Sequence, residues 1–281
     1  MVDPLSVVGI GIGALASKEL LGKLLGPTAD YLGGELKGLV EKSNVNLTVL
    51  FRRALNRLGT RLNEPGQVNP RVLKSIIDEA RFCEDQLTLE YFAGVLASSR
   101  TENGRDDRGL TFAAMIKELS AYQLRLHYIF YSLLKRLYGD GLLTLNPQRP
   151  ESRERLRVFL TFESYVKAMD LGPTESLEAI LPHSVYGLSR LNLLGDINSW
   201  GDLDDLSERG YARVRRPGII LKPHPLGIEL MLWVHGLADI PPRDFLLPHV
   251  RLETDLDIPI PSDALPVSEI LPINYYEEES V

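Results

Sequence analysis

Between Asp30 and Gly139 the apolar side chains return mostly every three or four residues, and straight-chain helix formers outnumber β-branched residues. That period predicts several helices. Leu32, Leu36, Leu39 and Val40 form one stripe; Leu47, Leu50, Phe51, Ala54, Leu55 and Leu58 form the next, which stops at Gly59. The opposite face of the second stripe carries Arg53, Arg57 and Arg61 at steps of four, the pattern of a solvated face. Asn69-Pro70 offers a cap and then a proline at the first helical position, opening a helix to about Phe82. Asp85 caps another through Leu89, Phe92, Ala93, Leu96 and Ala97, and the polar run Ser98 to Arg108 ends it. Asp106 or Asp107 caps the next, which carries Leu110, Phe112, Met115 and Ile116. A longer helix spans Tyr122 to Tyr138 and closes at Gly139-Asp140-Gly141.

The polar, proline-containing stretch 147–153 marks an internal boundary, and the pattern changes after it. Leu188, Leu191 and Leu194 run into Gly195, so a helix is expected over Ser184 to Leu194. Two short strand-like runs follow, Tyr211 to Arg215 and Gly218 to Leu221, and then a helix beginning near Pro225 with Ile228, Leu232 and Val234. Helix, hairpin, helix is the order of a winged helix-turn-helix. Beyond Ala238 prolines recur singly and at Pro241-Pro242, which predicts an extended tail ending in Glu277-Glu278-Glu279. The expected fold is mainly α: a multi-helix N-terminal bundle over 1–146, a winged-helix-like α+β segment over 155–237, and an extended Pro-rich, acidic tail over 238–281.

Composition narrows the class. The 281 residues are 44% hydrophobic and 25% charged, the balance of an ordinary packed protein rather than a disordered or disulfide-stapled one. The single cysteine, Cys83, cannot form an internal disulfide and suits a reducing compartment. Ala14-Leu15-Ala16 resembles a signal cleavage site, yet no Lys or Arg precedes it. A cytoplasmic protein is expected. The net charge of -7 disfavours a chain that coats nucleic acid over its whole surface, while leaving room for a local basic patch.

Candidate chemistry is sparse. Val7-Val8-Gly9-Ile10-Gly11-Ile12-Gly13-Ala14 has the glycines of a dinucleotide turn, but the second strand with its acidic end does not follow. The same segment, residues 1–25, is a candidate for membrane association. The histidines at 127, 183, 224, 235 and 249 lack partners at ligand spacing, so no metal is expected. There is no Gly-x-Ser-x-Gly elbow and Cys83 has no activating neighbours, so neither an enzyme nor a cofactor is expected. One polar feature stands out: Arg209, Arg213, Arg215, Arg216 and Lys222 give the wing five cations with no acid between them. With Arg190 on the preceding helix they form a candidate site for a protein partner or for phosphates. Asp196, Asp202, Asp204, Asp205 and Glu208 in the preceding loop oppose that charge.

Several runs taken together carry a resemblance: LLGPTADYLGGEL from Leu24 to Leu36, EYFAGVLASSR from Glu90 to Arg100, Asp106-Asp107-Arg108-Gly109, and YQLRLHYIF from Tyr122 to Phe130. They resemble the bacterial abortive-infection alpha family over most of the chain. The resemblance implies a mostly helical protein with a part in defence against phage, and carries no catalytic residues over. The expected function is therefore non-enzymatic, through binding of a protein partner or phage trigger. The alternatives are a membrane-acting effector using residues 1–25 and a DNA-binding regulator using the basic wing.

Overall fold

The computed structural model describes residues 18–28, 45–141, 146, 149–254 and 256–272. The glycine-rich segment 7–14, the stripe from Leu32 to Val40 and the acidic end at 277–279 lie outside the described residues. The described part is mainly helical with a small antiparallel sheet. It divides into two compact units: Met1–Glu118 with Trp233–Asp239, and Leu119–Leu232 with Ile240–Val281.

The first unit contains α1 (Lys18–Leu25), α2 (Val45–Leu58), α3 (Pro70–Ala80), α4 (Gln86–Ser98) and α5 (Gly109–Glu118). Its two short strands, β1 (Gln67–Val68) and β2 (Arg100–Thr101), pair antiparallel. Helix starts obey their side chains: Asn69 Oδ1 accepts from the Arg71 N–H at 3.0 Å, and Asp85 Oδ2 accepts from Thr88 N–H at 2.7 Å. Asp106 instead accepts from the Arg108 N–H, a turn that precedes α5 rather than capping it. From Leu89 to Arg100 every residue is buried, as expected of a helix that is apolar all round. It receives Leu47, Leu50, Phe51 and Ala54 of α2, so the second stripe read from the sequence is core.

The face opposite that stripe is not solvated. Arg53 and Arg57 lie against Glu90 of α4, which is only 2% exposed; Arg53 Nε sits 3.1 Å from its carboxylate and Arg57 also pairs with it. Arg61 donates to the Gly236 carbonyl at 3.0 Å. The correction has a simple cause, since the buried carboxylate at Glu90 draws the guanidiniums inward. Cys83 is half-buried in the turn after α3, its thiol donating to the Asp85 carbonyl, and neighbouring Phe82, past the end of the helix at Ala80, is exposed.

The second unit begins with α6 (Ala121–Tyr138), started by a reciprocal capping box between Ser120 and Gln123. The sequence groups this helix with the N-terminal bundle. It packs instead on α8 (Phe162–Met169) and α9 (Leu177–Arg190), so the units divide at 118/119 rather than at 147–153. Gln123 Nε2 donates to the His183 carbonyl at 3.2 Å and Arg125 Nε to the Ala168 carbonyl at 2.8 Å. His127 is a hydrogen-bonded core histidine, 3.1 Å from the Gly227 carbonyl. The short α7 (Pro150–Glu154) leads into the sheet.

Four strands, all antiparallel, lie in the order β4-β5-β3-β6: β3 (Val158–Thr161), β4 (Ser199–Gly201), β5 (Gly218–Leu221) and β6 (Leu265–Pro266). Registers pair Trp200 with Ile219, Phe159 with Ile220, and Phe159 with Leu265. Gly218–Leu221 is a strand as expected, whereas Tyr211–Arg215 is not. Between β4 and β5 lie α10 (Leu203–Glu208), ended by Gly210 at φ 90°, and then a turn that buries Tyr211 and Val214. These two side chains are three residues apart, a spacing no strand can direct to one face. α11 (Pro225–Val234) starts where the sequence places it.

The C-terminal region is more than an extended tail. Residues 265–266 form the fourth strand, and Val267, Ile270 and Leu271 join Phe159, Leu206, Tyr211, Val214 and Ile220 in one core cluster. Asp263 accepts from Ser164 Oγ at 2.6 Å and from Thr161 Oγ1 at 3.2 Å. Arg136 donates to the carbonyls of Ile260 and Pro261. The prolines keep the backbone extended, but the apolar residues that follow them are drawn into the core.

Candidate functional site

In the first unit a cleft of about 470 Å³ is lined by Arg61, Glu64, Arg100, Thr101, Glu102 and Asp239, with Pro65. Its cations are committed to the fold. Arg100, a buried residue of β2, donates to the carbonyls of Lys23, Arg61 and Glu64, and Arg61 lies 3.6 Å from Asp239. Burial, and then the charge of Arg61, lowers the Arg100 pKa from its ordinary value. The cleft's carboxylates, Glu64, Glu102 and Asp239, have no His, Cys or Lys among the lining residues to work with. Among the described residues no group of three or more His, Cys, Asp or Glu side chains gathers to hold a metal ion.

The second unit carries a surface of a different kind. Asn192, in the left-handed region at φ 55°, ends α9 and lets Leu193 and Leu194 turn inward. The helix therefore covers Leu177–Arg190 and not Ser184 to Leu194. Asn198 then ties the outgoing chain down: its Nδ2 donates to the Gly195 carbonyl at 2.7 Å, and its Oδ1 accepts from Lys222 N–H at 3.0 Å. Chain direction fixed in this way leaves apolar side chains outside. Tyr186 on α9 is 63% exposed and Ile197 is 57% exposed. The ring of Trp200 on β4 meets Tyr186 edge-on, and Leu203 at the start of α10 is also exposed.

Charge around these residues is uneven. Asp196, Asp202, Asp204, Asp205 and Glu208 are all exposed. Asp202 and Asp205 cap α10 reciprocally, which fixes the carboxylates at its first turn, where the helix dipole favours them. Hydrogen bonding from its own backbone N–H, ahead of the Lys222 charge, holds the Asp196 carboxyl below its usual range. Arg190 follows Tyr186 by one helical turn and is exposed. Arg209 donates to the Trp200 carbonyl at 3.2 Å, covering part of the free edge of β4.

The six cations singled out from the sequence do not make one patch. Lys222 is 5% exposed, and its ammonium lies against Glu154 and 3.6 Å from Asp196. It is a structural cation, which corrects its assignment to a contact surface. Arg216 lies 3.1 Å from Asp263 and 3.8 Å from Glu163. Arg213 is exposed, its backbone N–H donating to the Ile270 carbonyl, and Arg215 is exposed beside it. Only Arg190 and Arg209 accompany the aromatic pair. Tyr186, Ile197 and Trp200 were missed by sequence reasoning because apolar residues are assigned to the core by default, and no pattern marks the ones left outside.

The membrane alternative rests on residues 1–25, of which 18–25 are described. There α1 carries Leu24 and Leu25 fully buried within the first unit. No helix among the described residues is long and apolar enough to cross a membrane. No family model, curated protein or solved structure matches the chain.

Proposed function

We propose that this is a non-enzymatic binding protein whose second unit is a winged-helix-like module that docks a protein partner. The order α6, α7, β3, α8, α9, β4, α10, β5 supports the module, as does a sheet in which β5 lies between β4 and β3. In this reading α9 takes the recognition position and the segment 202–217 the wing.

The observation that carries the reading is exposed Tyr186 on α9 stacked edge-on against half-buried Trp200 on β4, with exposed Ile197 and Leu203 three residues either side of Trp200 in the chain. Tyr and Trp provide large anchors at modest entropic cost, and they are enriched where proteins dock. A DNA reader would gather its cations into one patch, whereas Lys222 is buried, Arg216 is paired, and Arg190 and Arg209 stand among five exposed carboxylates of the neighbouring segment. The resemblance to the abortive-infection alpha family supplies the biological setting, defence against phage by a cytoplasmic protein.

The test is a phage panel on bacteria expressing the full chain or its Tyr186→Ser, Ile197→Ser variant, scoring plaques and uptake of a membrane-impermeant dye. Wild type is expected to reduce plaques with membranes intact, and the variant to lose protection at unchanged protein level. Absence of protection would sink the defence role. Protection retained by the variant would sink the docking surface, and early dye uptake would favour the membrane alternative. A salt-dependent DNA shift abolished by Arg213→Glu, Arg215→Glu and Arg216→Glu would favour the regulator.

A further inference from the structure

We infer that the partner of the Tyr186–Trp200 face is a protein segment with an apolar anchor flanked by lysines or arginines. The inference rests on the docking reading above and adds the chemistry of the occupant.

Size and sign both point this way. Four exposed or half-exposed apolar side chains, Tyr186, Ile197, Trp200 and Leu203, lie within or beside a segment that also carries five exposed carboxylates. Water-facing aromatics ask for an apolar anchor, and the polar rim of an interface decides which anchor arrives. Here the rim is Asp196, Asp202, Asp204, Asp205 and Glu208, against the guanidiniums of Arg190 and Arg209. Lys222 is turned inward and divided between Glu154 and Asp196. Asp196 itself keeps an 85% exposed side chain. The rim thus presents net negative charge.

That sign separates the occupants. A second copy of this chain, with net charge -7, would bring like charges together at the rim. A nucleic acid would meet the same repulsion along its phosphates. A segment bearing Lys or Arg on both sides of an aromatic or aliphatic residue satisfies both requirements, the anchor on Tyr186 and Trp200 and the flanks on the carboxylates. Arg209 already occupies the Trp200 carbonyl, so recognition runs through side chains rather than through a strand added to β4.

The experiment selects a random peptide library displayed on phage against the full chain, with the Tyr186→Ser, Ile197→Ser variant as counter-selection. Circular dichroism melting confirms that this variant folds, both positions being largely exposed. The expected result is enrichment of peptides with an apolar residue flanked by Lys or Arg, lost on the variant. A chosen peptide should associate about tenfold more slowly with an Asp204→Lys, Glu208→Lys protein and more slowly as salt is raised. Patch-dependent enrichment of acidic or uncharged peptides would overturn the basic-partner inference while leaving the docking surface standing. Absence of patch-dependent enrichment would overturn both. Patch-dependent dimerisation, or duplex DNA binding lost on the variant, would also overturn it.

Discussion

The ring of Tyr186 meets the ring of Trp200 at a centroid distance of 5.5 Å and an interplanar angle of 62°, on a surface that water reaches from the Tyr186 side. An edge-on pair of this kind contributes about 0.5–1.5 kcal/mol beyond area burial. With Tyr186 63% exposed, the lost area adds a little to that term, and Tyr186→Ala should lower the unfolding free energy by about 1–2 kcal/mol in urea titration. The chain has two tryptophans and Trp233 is 1% exposed, so acrylamide quenching reports mainly Trp200. Quenching should increase in the variant, and an unchanged profile would contradict the pairing.

Gly94 leaves no room for a side chain. A Cβ there would fall 1.8 Å from the carbonyl oxygen of Val234, and backbone cannot yield as a side-chain tip can. Gly94→Ala is expected to destabilise the first unit by about 3 kcal/mol. Chemical denaturation followed by the fluorescence of Trp233, which belongs to that unit, measures it.

Glu90 neutralises two guanidiniums whose side chains are each 9% exposed. Replacing the carboxylate removes the counter-charge while the cations stay buried, at a cost of about 3–5 kcal/mol for Glu90→Gln. Equilibrium unfolding should show that loss. A variant with wild-type stability would mean that Arg53 and Arg57 behave as surface residues after all.

His127 predicts a pH dependence. Burial, opposed only weakly by the hydrogen bond to Gly227, pushes its pKa down from 6.5 to about 3. The folded state holds it neutral, while the unfolded chain takes up a proton below pH 6.5, so its contribution is complete above 6.5 and fades as pH falls towards 3. Between pH 6.5 and pH 5 the loss amounts to about 2 kcal/mol. Unfolding free energies measured across this range should fall more steeply for wild type than for His127→Gln, and parallel curves would contradict the neutral buried imidazole.

Ile270 and Leu271 are 3% and 2% exposed within the sheet's core cluster. Alanine at either position should cost about 2–4 kcal/mol. Limited proteolysis of a chain ending at residue 263 should open the second unit, whereas a surface tail could be removed without effect.

Legibility in the sequence followed locality. Asn69-Pro70, Asp85 and Pro225 mark helix starts through chemistry within one turn, and those starts are where the side chains place them. Val158–Thr161 is buried on both faces, so it lacks the alternation that identifies a strand, and a run of four cannot be told from a helical fragment. Tyr211 to Arg215 has that alternation, yet Tyr211 and Val214 enter one core from a turn. The basic wing was legible as composition but not as a surface, because the inward course of Lys222 depends on Glu154, distant in sequence. Tyr186 and Trp200 were invisible for the same reason, their exposure being set by Asn192 and Asn198 rather than by their own neighbours.

Neither unit is drawn from one continuous stretch of chain. The first needs Trp233–Asp239 to supply the partner that faces Gly94, and the second needs the residues around Leu271 to complete its core cluster. On the ribosome the first unit is consequently kept waiting while most of the second is translated, so N-terminal-first folding, the usual order for multidomain chains, is denied to it. The apolar surface around Gly94 on α4 therefore waits for its cover until a segment more than a hundred residues downstream has been made.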